Sequence, residues 1–307
     1  MTDPIEQQPS PEFRSGYVNI IGRPNVGKST LMNALLGERM SIITHKPQTT
    51  RHRILGIYSD DTMQIIFSDT PGIIDQPNYR MQEVMNRFAH ESFEDADILL
   101  FMVAAGERYQ QENPIFKAMN TLDIPVFLII NKIDLFDQSG LEDYMRSWNE
   151  IYEFDAVYPI SALHDSGVKG LLQAIREKLP EGPAYFPLDQ LSDKTERFFA
   201  SEIIREEILL QYSQEIPYSC EVVVERFKEE ESKKGPILHI YAVIYVARKT
   251  QKSILIGKGG KSIKALGKAA REKMETFFQQ KIFLELHVKV KENWRDDERT
   301  LKHFGYQ

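Results

Sequence analysis

The chain has 307 residues, of which 42% are hydrophobic and 27% are charged, and its formal net charge is −7 at pH 7. This length is enough for two domains with separate cores, and the composition is that of a globular protein. The one cysteine, Cys220, excludes a disulfide framework and a thiolate metal cluster, and the seven histidines lack metal-ligand spacing.

The first sixteen residues are polar and contain neither a signal peptide nor a membrane anchor, so they predict a disordered tail over residues 1–16. Residues 17–180 then alternate between short apolar runs and amphipathic stretches, which predicts an α/β domain with a doubly wound, mostly parallel sheet. The predicted strands are YVNIIG, RILGIYS, MQIIFSD, ILLFMVA, VFLIIN and AVYPIS. The predicted helices are KSTLMNALLG, residues 80–92, residues 112–122, LEDYMRSWNEIY and VKGLLQAIREKL.

Residues 181–193 are rich in proline and lack periodicity, which predicts a linker. The remaining residues, 194–307, predict a small α+β domain that begins with the helix TERFFASEIIREEILLQY. Two alternating strands follow, SCEVVVERF and ILHIYAVIYVAR, and they predict an antiparallel pair. A glycine-containing turn, a helix over residues 262–278, the strand IFLELHVKVK and a solvated terminal helix complete the predicted order.

The motif GRPNVGKS, residues 22–29, matches the phosphate-binding pattern G-x-x-x-x-G-K-[ST]. Its glycines allow a tight turn in which backbone N–H groups converge on phosphate oxygens, and the following helix directs its positive end at the anion. Lys28 is expected to reach the β and γ phosphates, and the Ser29 hydroxyl to bind Mg²⁺. The residues expected to surround the nucleotide here are Gly22, Arg23, Pro24, Asn25, Val26, Gly27, Lys28, Ser29 and Thr30.

A second motif, DTPG at residues 69–72, ends an apolar strand. Alone it would indicate only a turn, but after a phosphate loop it predicts that Asp69 holds the metal through water. The Gly72 N–H is then placed to sense a γ phosphate. Thr70 and Pro71 are counted with this part of the nucleotide site.

Two further motifs, NKID at 131–134 and SAL at 161–163, also follow strands and predict a guanine-specific pocket. The Asp134 carboxylate can accept hydrogen bonds from guanine N1–H and the exocyclic amine, whereas adenine offers an acceptor at N1 and no such amine. Asn131 is expected to brace the loop, Lys132 to cover the base with its aliphatic stem, and the Ala162 N–H to reach guanine O6. Ser161 and Leu163 flank that N–H.

A threonine in KPQTTRHR, residues 46–53, is expected to complete the Mg²⁺ shell when a γ phosphate is present. Either Thr49 or Thr50 could serve, and we favour Thr50. Ile73 stands where many small GTPases carry a water-orienting glutamine, which predicts slow intrinsic hydrolysis. Asn25 either forms a turn or supplies an oxygen to K⁺, and the two interpretations carry similar weight. The predicted catalytic groups are Lys28, Thr50 and Gly72.

A basic window in the second domain points to nucleic acid, because ten Lys or Arg face three Glu between residues 252 and 291 of an acidic chain. Within it, G-K-G-G at 257–260 matches the G-x-x-G loop that clamps a single-stranded backbone of about four nucleotides. Ile254 and Ile256 are expected to offer an apolar face to unstacked bases. The predicted RNA-binding residues are Ile256, Gly257, Lys258, Gly259, Gly260 and Lys261.

The blocks GRPNVGKSTLMNALLG, QTTRHRILGI, DTPG, NKID, ASEIIREEIL and HVKVKENWRDDER together resemble the bacterial Era GTPases over nearly the whole chain. The resemblance implies a P-loop GTPase domain joined to a type II KH domain, with GTP or GDP and Mg²⁺ as ligands. It also implies binding to the 3′ end of 16S rRNA, assistance in 16S rRNA processing and maturation of the 30S subunit, and a cytoplasmic location with partial association with the inner membrane. No heptad seam indicates a dimer, so a monomer is expected.

Two other classes of function stay open on the residues alone. The chain could be a signalling GTPase that uses the second domain to dock on a protein or a membrane surface, although docking requires neither the glycines nor the lysines of G-K-G-G. It could also be an RNA-binding protein with GTP as a structural ligand, although the full set of metal and γ-phosphate motifs disfavours that.

Overall fold

The computed structural model describes residues 13–74, 76–232 and 235–306. By its internal contacts the chain divides into two compact units. The first contains Met1–Ser41, Thr50–Ile74 and Asn86–Asp193, and the second contains Ile42–Thr49, Asp75–Met85 and Lys194–Gln307. Two short segments from the first half of the chain therefore belong to the second unit.

The first unit is built on a six-stranded sheet whose order is β2-β3-β1-β4-β5-β6. Every neighbouring pair is parallel except β2 and β3, which are antiparallel. This confirms the predicted doubly wound, mostly parallel sheet. The strands are β1 (Arg14–Ile21), β2 (Ile54–Ser59), β3 (Met63–Asp69), β4 (Ile98–Ala104), β5 (Val126–Asn131) and β6 (Ala156–Pro159).

The helices of this half of the chain are α1 (Lys28–Leu36), α2 (Arg80–Glu91), α3 (Pro114–Met119), α4 (Gln138–Trp148) and α5 (Val168–Lys178). Two of them differ from the prediction because side-chain caps set where they begin. The Asn113 side chain accepts a hydrogen bond from the Ile115 N–H and starts α3 at Pro114, while Asp137 accepts from the Gly140 N–H and starts α4 before the predicted Leu141.

The predicted disordered tail over residues 1–16 is wrong at its end, since β1 already begins at Arg14. The Arg14 N–H donates to the Thr62 carbonyl, which pairs this short polar stretch with the sheet. Residues 1–12 lie outside the described part of the chain. No helix among the described residues is both long enough and apolar enough to cross a membrane.

The predicted linker runs along the first unit and is bonded to it. The Gly182 N–H donates to the Phe13 carbonyl, and the Ile57 N–H of β2 donates to the Leu191 carbonyl. The fully buried Gln64 side chain accepts hydrogen bonds from the Tyr185 and Phe186 N–H groups. Because β2 is an edge strand, these hydrogen bonds satisfy some of the backbone N–H and carbonyl groups that another strand could otherwise pair with.

The second unit contains a three-stranded sheet of order β7-β8-β9. β7 and β8 are antiparallel, as predicted, while β8 and β9 are parallel. One face of β8 is buried against the helices through Leu238, Ile240, Ala242, Ile244 and Val246. The elements are α6 (Glu196–Gln211), β7 (Cys220–Ser232), β8 (Gly235–Val246), α7 (Lys249–Ile256), α8 (Lys261–Phe278), β9 (Ile282–Val290) and α9 (Glu298–His303).

α7 was not predicted from the sequence, because its residues directly precede the glycine turn and were assigned to no element. The Gln251 side chain is buried and accepts a hydrogen bond from the Arg248 N–H at 2.9 Å, which starts the helix as a capping box does. From α6 onward the order is therefore helix, two strands, two helices, a strand and a terminal helix, and α7 and α8 meet at the G-K-G-G turn.

Candidate functional site

The phosphate loop joins β1 to α1 and depends on two glycines with positive φ. A Cβ at Gly22 (φ 151°) would lie 2.2 Å from the Met102 carbonyl oxygen, and one at Gly27 (φ 108°) would lie 2.3 Å from Asn131 Nδ2. Neither position has room for a side chain, so the loop can fold closely over the sheet edge only with glycine there. Its N–H groups then stand at the beginning of α1, where an anion is favoured.

Lys28 is buried beneath this loop, and its Nζ donates to the carbonyl oxygens of Gly22 and Arg23, each at 3.0 Å. Burial lowers the pKa of the Lys28 ammonium to about 8, although the nearby Asp69 carboxylate favours the charged form. The loop therefore holds a poorly hydrated positive charge that an anion would stabilise.

Three predicted metal ligands lie together at the end of β3. Ser29 Oγ donates to Asp69 Oδ2 at 2.7 Å and lies 2.9 Å from Thr50 Oγ1, and the Thr50 hydroxyl is 3.3 Å from the same carboxylate oxygen. Asp69 is fully buried, and its Oδ1 has no hydrogen-bond partner among the described residues. Burial raises the pKa of the Asp69 carboxyl above its ordinary value, and the two hydroxyls partly oppose that rise.

This oxygen set has the chemistry that suits Mg²⁺, which prefers hydroxyl, carboxylate and water oxygens. Thr49, the alternative to Thr50, lies elsewhere: its hydroxyl donates to the Lys46 carbonyl and is 2.6 Å from Thr44 Oγ1. The structure thus brings Thr50, and not Thr49, to Ser29 and Asp69.

The DTPG motif is packed directly on the phosphate loop. A Cβ at Gly72 would lie 2.6 Å from the Pro24 backbone nitrogen, and Thr70 Oγ1 donates to the Ile20 carbonyl at 3.0 Å. Asn86, which the sequence analysis did not single out, exchanges two hydrogen bonds with the backbone of Ile74. An asparagine in the middle of a helix carries no sequence signal for that role.

The two base-recognition loops are braced against the phosphate loop. Asn131 Nδ2 donates to the Val26 carbonyl at 2.8 Å, its Oδ1 accepts from the Ala162 N–H at 2.9 Å, and Lys132 Nζ donates to the Asn25 carbonyl at 2.7 Å. Because Asn131 already engages the Ala162 N–H, a bond from that N–H to guanine O6 would have to be shared.

Asp134 projects from the rim of this pocket and is exposed to solvent. Ser161 Oγ donates to its Oδ1 at 2.5 Å, and this hydrogen bond lowers the pKa of the carboxyl below its ordinary value. Asp134 therefore stays ionised at neutral pH and can accept two hydrogen bonds from a base. Leu163 of the SAL motif is 75% exposed.

The remaining residues of the phosphate loop have varied surroundings. Arg23 pairs with Glu107 at 3.1 Å and covers the ring of Tyr109, so its charge is already engaged. Asn25 is exposed in a left-handed conformation with φ 65°, and Thr30 is half-buried in the first turn of α1.

The G-K-G-G turn of the second unit links α7 to α8, and three of its residues have positive φ: Gly257 at 71°, Gly259 at 62° and Gly260 at 74°. In the described part of the chain, no atom lies within 4 Å of a Cβ built at Gly259 or Gly260. The backbone at these two positions is therefore open to close approach by another molecule.

The side chains around this turn are partly as predicted. Lys258 and Lys261 are exposed, and Ile254 is 50% exposed on α7. Ile256 instead packs partly against the hydrophobic core of the unit, so it has less surface free for a base than Ile254 has.

Comparisons with known proteins agree with both units. A family model described as a 50S ribosome-binding GTPase matches residues 17–132, and one described as a KH domain matches residues 215–295. GTPase Era of Syntrophus aciditrophicus is 49% identical over 96% of this chain and 95% of its own length. The chain belongs to the Era family of GTPases. GTPase Era of Geobacter metallireducens is 45% identical over 96% of this chain and 98% of that protein.

Two solved structures share the fold of this Era-family chain across both units, each with a TM-score of 0.90, 37% identity and coverage of 96% of this chain and 99% of the other. One is a variant of Aquifex aeolicus Era bound to GDP·AlF4⁻, and the other is Era in complex with MgGDPNP and nucleotides 1506–1542 of 16S ribosomal RNA. The family resemblance and the predicted fold are thereby confirmed. The chain is a GTPase, which hydrolyses GTP to GDP and phosphate.

Replacing Asp134 with Asn tests the base selector. The amide would present a donor to guanine N1–H or its amine, so we expect GDP affinity to fall by about 100-fold. Xanthine carries a carbonyl in place of that amine, so XDP should bind the variant more tightly than GDP does. Competitive nucleotide-binding titrations measure both, with Asp143→Asn on the exposed face of α4 as the control. Unchanged GDP affinity in Asp134→Asn would contradict the assignment.

Proposed function

We propose that this protein is a GTP-dependent switch that binds the 3′ end of 16S rRNA and assists 16S rRNA processing and small-subunit biogenesis. The observation that carries the proposal is the coexistence, in one chain, of a guanine-nucleotide site with metal-ligand oxygens and an open G-K-G-G turn with exposed lysines. The solved Era complex that contains both MgGDPNP and a 16S rRNA segment supports it, since that protein shares the fold over both units.

In this proposal Ser29 and Thr50 hold Mg²⁺ directly, and Asp69 holds it through water. The bound ion would neutralise charge on the β and γ phosphates. Lys28 would exchange its two carbonyl partners for phosphate oxygens, because a buried ammonium gains more from an anion than from neutral carbonyls. Asn131, Lys132 and Asp134 would orient the base, and the backbone of residues 161–163 would close over it.

Hydrolysis in this site would depend on backbone and cation rather than on a side-chain base. The Gly72 N–H would sense the γ phosphate, and the side chain of Ile73 can neither accept a hydrogen bond from the attacking water nor donate one to it. A slow intrinsic rate follows. The exposed Asn25 side chain supplies an oxygen within the phosphate loop, and we propose that it holds K⁺ where another GTPase would place an arginine.

GTP turnover in KCl and in NaCl at equal ionic strength tests the role of Asn25. We expect at least a roughly tenfold faster rate in KCl, because a hard oxygen site of one size discriminates between the two cations. Asn25→Asp should keep a cation response and Asn25→Ala should abolish it, while GDP affinity stays near that of the wild type. Equal turnover in the two salts would remove K⁺ from the mechanism.

RNA binding is assigned to the G-K-G-G turn and the helices on either side. Gly259 and Gly260 would admit phosphates to the backbone, and Lys258 and Lys261 would attract them electrostatically. Ile254 and the exposed part of Ile256 would contact unstacked bases. On the family resemblance, we further propose that the protein acts in the cytoplasm as a monomer, with part of it at the inner membrane.

Binding of a 3′-terminal 16S rRNA oligonucleotide, measured in the GTP-analogue, GDP and apo states, tests this function. We expect tighter binding with the GTP analogue, a loss of roughly tenfold or more in Gly259→Asp, and weaker binding as salt rises. The carboxylate of the variant would repel phosphate at a position with free space. Because the positive φ of Gly259 strains any side chain placed there, the melting temperature and GDP affinity of the variant serve as the folding control. RNA binding that ignores the nucleotide would separate the two activities, and no binding in any state would refute the RNA assignment.

A further inference from the structure

The segment Ile42–Thr49 belongs to the second unit, although it lies between α1 and β2 in the chain. Its last residue, Thr49, is joined by one peptide bond to Thr50, whose hydroxyl meets Ser29 and Asp69 in the first unit. Whatever holds this segment therefore acts directly on the backbone from which Thr50 projects. Two residues of α6, Arg205 and Glu206, bond to the segment, and Lys46 of the segment bonds to the end of α6. None of these three roles was predicted from the sequence.

Arg205 holds the C-terminal end of the segment. Its Nη2 donates to the Thr49 carbonyl and its Nη1 to the Gln48 carbonyl, so one guanidinium engages two consecutive peptide groups. The side chain is 1% exposed, and its Nε and Nη2 also pair with Glu202 Oε1 and Oε2 at 2.8 and 2.6 Å. A planar guanidinium held by such a fork has little freedom, and so its position defines that of the Thr49 carbonyl.

Two further contacts hold the start and the middle of the segment. The Ile43 N–H donates to Glu206 Oε1 at 3.3 Å. Lys46 Nζ donates to the carbonyl oxygens of Leu209 and Tyr212, which are otherwise open acceptors where α6 ends. Side chains in the middle of α6 and carbonyl groups at its C-terminal end thus hold the segment at Ile43, Lys46 and Thr49.

The same helix is tied to the proposed RNA-binding helix. Glu206 Oε2 accepts from Lys273 Nζ at 2.9 Å, and Lys273 lies on α8, which starts immediately after G-K-G-G. Glu206 is 1% exposed, so this carboxylate is shared between the backbone of Ile43 and the ammonium of α8. Movement of α8 against α6 would change the surroundings of a group that also holds the segment.

We propose that Arg205 is a positioning residue for GTP hydrolysis: through the Thr49 carbonyl it fixes the backbone that delivers the Thr50 hydroxyl to the metal, with Glu206 and Lys46 supporting it. By reciprocity, a nucleotide that pulls Thr50 towards the metal also acts on α6. This inference rests on the proposed role of Thr50.

The test variant is the double substitution Glu202→Leu with Arg205→Met, which removes both buried charges together because removing one partner alone would leave the other as an uncompensated buried charge. We expect kcat for GTP to fall about tenfold, KM for GTP to rise with the weaker binding of the triphosphate, and the Mg²⁺ concentration for half-maximal turnover to rise. The affinity ratio of GTP analogue to GDP should fall by a similar factor. GDP affinity and apo-state RNA binding should remain as in the wild type.

Two further variants separate positioning from folding. Lys46→Met acts from the segment and leaves α6 intact, so it should lower the same affinity ratio by a smaller factor. Glu207→Gln is the matched control: it is a buried carboxylate on the same helix whose partners are Lys273 and Gln211, and it should leave the ratio unchanged.

An unchanged affinity ratio and unchanged kcat in both the double variant and Lys46→Met would overturn the inference. The inference would also be overturned if GDP affinity, RNA binding and melting temperature all fell together in the double variant while Lys46→Met behaved like the wild type. In that case Arg205 would have a structural role only. The proposed RNA function fails on a different result, namely no RNA binding by the wild type, so the two failures are distinguishable.

Discussion

The carboxylate of Asp69 is the group on which the nucleotide site depends. It lies fully buried at the end of β3, accepts hydrogen bonds from Ser29 and Thr50, and keeps one oxygen without a partner among the described residues. Burying a carboxylate costs several kilocalories per mole unless its charge is balanced, and the two hydroxyls together with the nearby Lys28 ammonium still leave the pKa of Asp69 above its ordinary value. A divalent cation would supply the remaining positive charge. The arrangement of Asp69, Ser29 and Thr50 would therefore be stabilised by a bound metal and, through the metal, by phosphate.

The residues around Asp69 are linked to the second unit by the covalent continuity of the chain. Thr50 follows a segment that belongs to the second unit, and the DTPG loop leads into another such segment, Asp75–Met85. In the second unit, Tyr79 donates a hydrogen bond to the Gln48 side chain, and the Met81 N–H donates to the Arg295 carbonyl. Both loops that we propose to respond to a γ phosphate are therefore continued by residues of the second unit. This continuity would give a physical basis for a population shift between two states.

Much of this architecture could be predicted from the sequence, because strands buried on both faces are apolar nearly throughout and the phosphate, metal and base motifs each follow such a strand. The limits have physical causes. α7 escaped notice because Ile254, Leu255 and Ile256 also suit a strand, and only the Arg248–Gln251 capping contact starts a helix. Local patterns say nothing of the Arg205–Thr49 bond, whose partners are 156 residues apart. The choice between Thr49 and Thr50 likewise required the fold.

The measurement that tests the central claim most directly compares Thr50→Val with Thr49→Val, two substitutions of one chemistry at adjacent positions. Affinities for GDP and for a non-hydrolysable GTP analogue would be measured with and without Mg²⁺. If the Thr50 hydroxyl completes the metal site, Thr50→Val loses about tenfold or more of the Mg²⁺-dependent preference for the analogue and keeps GDP affinity, while Thr49→Val retains the preference. Retention of that preference by Thr50→Val, or its loss in Thr49→Val alone, would contradict the account.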